Sequence, residues 1–421
     1  MGVAKNFWAG VTMAAAAVGT LVVTAAMLSW AGLNYATAYT AGTLLSVIGT
    51  LLLHRQGIYL VAMPSVTVTA YLVFIIAISN GLGWQQLLGI GAVASALGCG
   101  LGLVAAKKKL CLLPPALSWG ISLALAVYLI VQGLALGRII VTSPWSVTMV
   151  GGFYDPLAYW SLAGIIVTLA LIAANCAGAL FYGMAFTLAA TLLEGFWVIP
   201  AAPFFLPGGL DVSLGQLRFM SDTPQQMSLF WLTSLCLPLW LSTINTSSLL
   251  AFVPGRKQDA GWQASSLLSA VSVGGALLGT TPLTIAPASA AGRGGTGPGV
   301  TAGALMVLLA ALFSEPVVAA WADFPAMAVT VLVGSGLVIL LRLSRQVPLS
   351  PDQTKRRAEL MTIAVLALLL PLTNNFATAL GAGLIGYSIF MFCAGKAREL
   401  SCSLGVLSLL FAGYFVYSMF L

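Results

Sequence analysis

The chain is a succession of apolar runs separated by short polar breaks. Most runs are about 17–25 residues long, enough for a helix to cross a hydrocarbon core of about 30 Å. Their apolar positions are continuous rather than alternating, which predicts spanning helices and not barrel strands. The runs fall at 8–30, 36–53, 61–80, 84–106, 115–135, 157–174, 177–197, 227–252, 263–281, 283–292, 298–314, 325–341, 359–373 and 376–394. This pattern predicts an all-α polytopic membrane protein of about 14 transmembrane spans. A further apolar run, 403–421, either crosses as well or packs along the edge of the bundle. The longest weakly apolar stretch, 199–226, is expected to be an external connecting loop, and no large water-soluble domain fits elsewhere.

Two runs are irregular. The third contains GIYLVAMPSVTVTAYL (57–72), and the tenth opens the stretch LTIAPASAAGRGGTGPGVTAG (283–303). Each starts with extended-looking residues, then a proline, then small and hydroxyl residues. Pro64 and Pro287 stand about half the chain apart, each in the third span of seven. Seven is odd, so a second set of seven is inverted across the membrane relative to the first. Interrupted spans at matching places in two inverted halves point to a transporter's binding site. Irregular backbone is tolerated at membrane depth only where protein or a water-filled cavity covers it. Taken singly, either segment is equally well read as a packing surface of small residues. The expected organisation is a first inverted repeat over 1–198, a connecting loop over 199–226, a second repeat over 227–396 and an additional hydrophobic segment over 397–421.

Composition and charge fix the surroundings. Of 421 residues, 60% are hydrophobic and 6% charged, against about 25% charged in soluble domains. The net charge of +7 sits in short clusters between apolar runs, which argues against a nucleic-acid partner. With the N-terminus and Lys5 in the cytoplasm, alternation brings most cations to one side: His54–Arg55, Lys107–Lys109, Arg256–Lys257, Arg293, Arg342, Arg345, Lys355–Arg357, Lys396 and Arg398. Cytoplasmic loops of membrane proteins are enriched in this way. Arg138 and Arg218 are the exceptions. The first run follows only Lys5 and lacks a cleavage site, so it is read as a retained span in a plasma (inner) membrane protein.

Candidate chemistry is sparse. Cys99, Cys111, Cys176, Cys236, Cys393 and Cys402 form no CxxC pair and read as small buried hydrophobes. His54 is the only histidine and is read as an interface residue. No metal site, cofactor or nucleophile–base pair is expected, so an enzyme is the least favoured class. GRGGTG (292–297) lacks the GK[ST] ending of a phosphate loop, and Arg293 reads as a cytoplasmic anchor. Asp155, Asp211, Asp222, Asp259, Asp323, Asp352, Glu359 and Glu399 are expected in loops or at span ends, Glu315 at an external end, and Glu194 snorkelling near the outer end of the seventh span. Trp8, Trp30, Trp84, Trp145, Trp160, Trp197 and Trp321 mostly mark span ends, and Asn374–Asn375 reads as a turn between spans. Asn245, with Thr243, Thr246, Ser247 and Ser248 around it, is a neutral amide deep in an apolar run. It serves either interhelical hydrogen bonding or recognition of a solute.

Four stretches resemble the nucleobase–ascorbate transporter (xanthine/uracil permease) family, most closely its AzgA-like purine branch. AMPSVTVTAY (62–71) is similar to that branch's third-span motif at Pro64, Ala70 and Tyr71. LGWQQLLGIGAV (82–93), STINTSSLL (242–250) and GTTPLTIAPASAAGRGGTGPGVTAG (279–303) resemble its later motifs in order and spacing, with weaker similarity over 139–152 and 370–387. The resemblance implies 7+7 inverted repeats, core and gate domains, interrupted half-helices in spans 3 and 10, elevator-type alternating access, a homodimer, and a small solute such as a purine or pyrimidine base. It implies a binding site at Thr67, Thr69, Tyr71, Asn245, Thr246, Ala288 and Ser289. Three of these depart from the branch's pattern: Thr69 replaces an Asn, Asn245 an acid and Ala288 a Glu. Both carboxylates are lost, and with them the obvious proton carrier. Two other readings stay open: an anion carrier of the related sulfate-permease type, and a non-transporting membrane scaffold descended from a permease.

Overall fold

The computed structural model describes residues 2–78, 81–108, 113–143, 148–176, 178–219, 238–250, 259–291, 295–345 and 347–418. Lys109, Cys111, Trp145, Asp222, Cys236, Arg256, Lys257, Arg293 and the stretch 227–237 of the eighth run lie outside the described residues.

The first half runs α1 (Gly2–Trp30), α2 (Tyr35–Arg55), β1 (Ala62–Pro64), α3 (Val66–Ala70) continued by a π-helix (Tyr71–Ile78), α4 (Trp84–Lys107), α5 (Pro115–Leu136), the hairpin β2 (Ile140–Val141) and β3 (Met149–Val150), α6 (Pro156–Ala173) and α7 (Ala179–Leu193). A connecting segment carries one turn of helix, α8 (Leu210–Ser213). The second half runs α9 (Pro238–Leu250), α10 (Asp259–Leu278), β4 (Leu283–Ile285), a 3₁₀ turn (Pro287–Ala291), α11 (Pro298–Phe313), α12 (Glu315–Ala322), α13 (Ala326–Leu343), α14 (Gln353–Thr373), α15 (Phe376–Cys393) and α16 (Cys402–Ser418). Several helices start at a side-chain cap. Asn34, Asp155, Asp352 and Asn375 each accept a backbone N–H of the first turn with their side-chain oxygen, which stabilises a helix start by about 1 kcal/mol.

The packing is that of two inverted repeats. α4 lies on α10, and their counterparts α11 and α2 lie on each other. α1 packs on α11, and α9 on α4. α5 packs on α14, and α13 on α6; α6 packs on α7, and α14 on α15. The pairs α2–α10, α5–α13 and β1–β4 match themselves across the same relation. Two groups result: α1–α4 with α9–α11, and α5–α7 with α13–α15. Close approach depends on missing side chains. A Cβ at Gly10 would strike the carbonyl of Val300, and one at Gly303 the carbonyl of Phe7, so α1 and α11 cross with their backbones nearly touching.

Several details differ from the sequence expectations. α12 was not anticipated: it bends 81° from α11 after Phe313. The β2–β3 hairpin was not anticipated either, and Arg138 beside it pairs with Asp155 at 3.2 Å. α14 starts at Gln353, ahead of the apolar run, so Glu359 is buried within a helix rather than lying at a span end. Its Oε2 accepts the Ser350 N–H at 2.8 Å, which explains the burial: the carboxylate caps a loop that would otherwise leave a donor unpaired. His54 is buried and not an interface residue; Nδ1 meets Thr301 Oγ1 at 2.9 Å. Cys393 and Cys402 are exposed rather than buried, and Cys99 and Cys176 half-buried. α16 packs along α15, where Ser408 Oγ donates to the Leu384 carbonyl at 2.9 Å.

Candidate functional site

The two irregular segments meet back to back. β1 and β4 pair antiparallel, with Ala62 opposite Ile285, Met63 opposite Thr284 and Pro64 opposite Leu283. Beyond the strands the ladder continues symmetrically. Ser65 N–H donates to the Pro282 carbonyl at 3.2 Å, and Ala286 N–H to the Val61 carbonyl at 2.9 Å. The first residue of each strand is held by a hydroxyl from an equivalent helix. Thr50 of α2 accepts the Ala62 N–H at 3.0 Å, and Ser272 of α10 accepts the Leu283 N–H at 2.8 Å. These two hydroxyls pair donors at a depth where an unpaired one costs several kcal/mol. This bonding makes Ser65 the counterpart of Ala286, Val66 of Pro287 and Thr67 of Ala288. The two prolines noted in the sequence are therefore two positions out of register.

Between this strand pair and the second helix group lies a cavity of about 140 Å³, roughly ten times the ~10–15 Å³ that one water needs. Its strand-side wall carries Thr20, Ser65, Thr67, Asn245 and Thr284, and its opposite wall Tyr128, Gln132 and Asn374. Asp, Glu, Lys, Arg and His are absent from its lining among the described residues. One end is deep, at Asn245 and Ala286; the other is a mouth where Leu136 and Asn374 are exposed.

Asn245 is the most telling group. The residue is 1% exposed. Its Nδ2 donates to Thr284 Oγ1 at 3.3 Å, and its Oδ1 has no hydrogen-bond partner within the protein. An unsatisfied buried acceptor costs about 1–3 kcal/mol. A ligand N–H entering the cavity would recover that cost. Thr67 Oγ1 lies 3.0 Å from Ser65 Oγ, and Ser65 caps α3 through the Val68 N–H.

The other expected site residues do not line the cavity. Thr69 shares a 2.6 Å hydrogen bond with Thr281, tying the half-helix to the residues before β4. Tyr71 Oη donates to Tyr414 Oη on α16 at 2.9 Å. Thr246 is buried on α9. Ala288 packs against Ala16 and Val331. Ser289 Oγ turns back to the Ala286 carbonyl at 2.6 Å. Of the seven, only Thr67 and Asn245 face the space where a solute fits. Sequence reasoning missed Thr20, Ser65, Tyr128, Gln132 and Thr284; Asn374 it read only as a turn. Ser65 and Thr284 sit inside the irregular segments, and Gln132 is a lone amide in an apolar run, so each carried a signal. Outside the cavity, Glu194 behaves as expected of an interface residue, accepting from Tyr159 Oη at 3.1 Å and Trp160 Nε1 at 2.9 Å.

Two inverted repeats of membrane-length helices, closed around a cavity where two interrupted spans cross, make the body of a multi-pass membrane permease. Comparisons with known proteins agree. The chain is 27% identical over 97% of its length to a protein named as a permease in Methanocaldococcus jannaschii, covering 94% of it. It is 26% identical over 96% of its length to the guanine/hypoxanthine permease PbuO of Bacillus subtilis, covering 95% of that protein. Its fold is similar to the transmembrane domain of a cyanobacterial bicarbonate transporter, BicA, at 15% identity, with a TM-score of 0.57 over 89% of this chain and 97% of that one. No family model matches the chain. These relatives agree with the resemblance to the nucleobase–ascorbate transporter family read from the sequence.

Proposed function

We propose that the chain carries a neutral nucleobase across the plasma membrane, binding it in the cavity between the strand pair and the α5–α14 wall. The observation that carries the reading is a cavity lined, among the described residues, only by neutral groups, with Asn245 on its wall and the Asn245 Oδ1 buried and unpartnered. A nucleobase brings ring N–H donors to such an acceptor. An anion brings only acceptors and meets no counter-charge there, which disfavours the anion-carrier alternative. Names of relatives add support, since PbuO is a guanine/hypoxanthine permease. In this reading Thr67 and Asn245 touch the solute, whereas Thr69, Tyr71, Thr246, Ala288 and Ser289 fix the walls around it.

The remaining parts of the proposal follow from charge and packing. The N-terminus is cytoplasmic, because that choice gathers the cations on one side. α14 then rises from the cytoplasmic Lys355–Arg357 to Asn374, and the cavity mouth faces outward. Residues 1–198 and 227–396 act as the two repeats, and α1–α4 with α9–α11 move as a core against a gate of α5–α7 with α13–α15. This is elevator-type alternating access, with a homodimer as the working unit. A buried carboxylate would link transport to protons, but none lines the site among the described residues. Uptake of radiolabelled hypoxanthine into proteoliposomes is therefore expected to stay flat between about pH 5 and pH 8, the range in which ionisable site groups most often titrate. An uptake rate that rises tenfold toward low pH would defeat the uncoupled form of the proposal. Absence of uptake and of thermal stabilisation by any nucleobase would defeat the nucleobase reading itself.

A further inference from the structure

The gate wall carries a pair of amides that the family resemblance did not single out. Gln132 sits on α5 in the otherwise apolar run LIVQGLAL (129–136). Its Nε2 donates to Asn374 Oδ1 at 2.9 Å, across from α5 to the end of α14. Asn374 is held by its backbone: its φ is 51°, left-handed, and its N–H bonds the Leu370 carbonyl at 3.1 Å. Asn375 next to it caps α15 through the N–H groups of Ala377 and Thr378. The turn therefore fixes the Asn374 side chain, and that side chain in turn orients Gln132. Both residues line the cavity on the wall facing Asn245.

A carboxamide has two lone-pair sites on oxygen and two hydrogens on nitrogen. The bond to Asn374 uses one Gln132 hydrogen. Gln132 keeps its Oε1 and a second N–H, which lie side by side, and Asn374 keeps its Nδ2 hydrogens. We propose that Gln132, oriented by Asn374, is a specificity-determining residue that reads an adjacent N–H and C=O, a lactam edge, on the solute. The inference rests on the nucleobase reading above and adds to it the edge that is recognised and the wall that recognises it. The lactam N–H bonds Gln132 Oε1 while its carbonyl accepts the remaining Gln132 N–H. A ring without that edge leaves both Gln132 groups without a solute partner, and a site that hydrogen-bonds a solute group discriminates against analogues that lack it. A solute satisfying both walls brings a further N–H to Asn245 Oδ1.

The test compares two solutes and three variants on purified full-length protein. Affinities of hypoxanthine, which has the lactam edge, and unsubstituted purine, which lacks it, are measured by calorimetry. The parent is expected to prefer hypoxanthine by about tenfold or more, the worth of one or two net hydrogen bonds. In Gln132→Leu that preference should fall to within about twofold, with the affinity for purine nearly unchanged. Gln132→Glu, similar in shape but unable to donate, should lose it too. Asn374→Gly keeps the left-handed backbone and removes only the orienting side chain, so it should lose part of the preference and serves if either Gln132 variant fails to fold. An undiminished preference in folded variants would overturn the proposal, and so would a lowered melting temperature with an unchanged preference, which marks a purely structural bond. If the parent binds neither solute, it is the nucleobase reading that fails, and the inference falls with it.

Discussion

Residues 61–67 and 282–288 make the same backbone hydrogen bonds with different side chains. In the first segment the positions just past the strand are Ser65 and Thr67, and both hydroxyls lie on the cavity wall. In the second the counterparts are Ala286 and Ala288. The first segment runs on into a half-helix and a π-helix reaching Ile78, whereas the second runs on, in its described residues, as a 3₁₀ helix over Pro287–Ala291. The two repeats thus share a backbone frame, because the paired strands and the hydroxyls of Thr50 and Ser272 hold equivalent donors at membrane depth. That frame places no demand on the side chains past the strand, and there the repeats have diverged. The first supplies polar contacts and the second supplies packing. Three other polar residues complete the strand-side wall, Thr20, Asn245 and Thr284, and Asn245 Nδ2 donates to Thr284 Oγ1 on the second repeat's strand.

The largest effect should come from forcing chemistry onto the packing half. Ala288→Glu pushes a carboxylate into the buried contact with Ala16 and Val331. Overpacking alone costs about 1–3 kcal/mol, and an unpaired buried charge adds several more. The variant is expected to yield little monodisperse protein in detergent. Recovery of well-folded Ala288→Glu with pH-dependent uptake would mean that this position reaches the solute, and the asymmetry drawn above would fail.

Asn245→Leu should separate binding from stability. It deletes the unpartnered acceptor of a residue that lines the cavity, so affinity for a nucleobase should drop by about tenfold or more. It also deletes an unsatisfied buried oxygen, so the melting temperature should hold or rise even though the bond to Thr284 is lost. Calorimetry and thermal unfolding on the same preparation check both. A parallel fall in the two would show that Asn245 is a structural amide.

The architecture was legible because membrane crossing imposes length and apolarity on every span, and because irregular backbone at depth needs Pro, Gly and hydroxyls that show in the sequence. The frame around β1 and β4 could be placed from AMPSVTVTAY and LTIAPASA for that reason. The register could not. Pro64 and Pro287 look like counterparts, yet Pro287 matches Val66, because a proline fits wherever no N–H is required and so marks no unique position. The cavity was legible only in part. Thr67 and Asn245 line it, whereas Thr69, Ala288 and Ser289, expected at the solute by analogy with carboxylate-bearing relatives, do not. With those carboxylates gone, the hydroxyls of Thr69 and Ser289 bond within the protein. Gln132 and Asn374 lie 242 positions apart, and no periodicity joins an amide in one helix to a turn after another. Glu359 and His54 were misplaced for a related reason: sequence shows a polar residue near a span end, but not the loop N–H or the threonine that draws it inside.

The smallest effects sharpen the comparison most, because they change one hydroxyl on each side. Ser65→Ala removes a cap from α3 and the partner of Thr67, on the wall that faces the solute. Its bond to the Val68 N–H is long, at 3.4 Å, so the stability cost should sit at the low end of about 0.5–2 kcal/mol. Uptake should fall a few-fold, because Thr67 loses the bond that orients it. Ser289→Ala removes a hydroxyl that bonds only the carbonyl three residues before it, facing away from the cavity. A local bond of that kind competes with backbone alternatives and contributes little net stability. Its melting temperature and uptake should both match the parent. Equal losses of uptake in the two variants would place the second interrupted span at the solute after all, and would return the hydroxyl of Ser289 to the binding site.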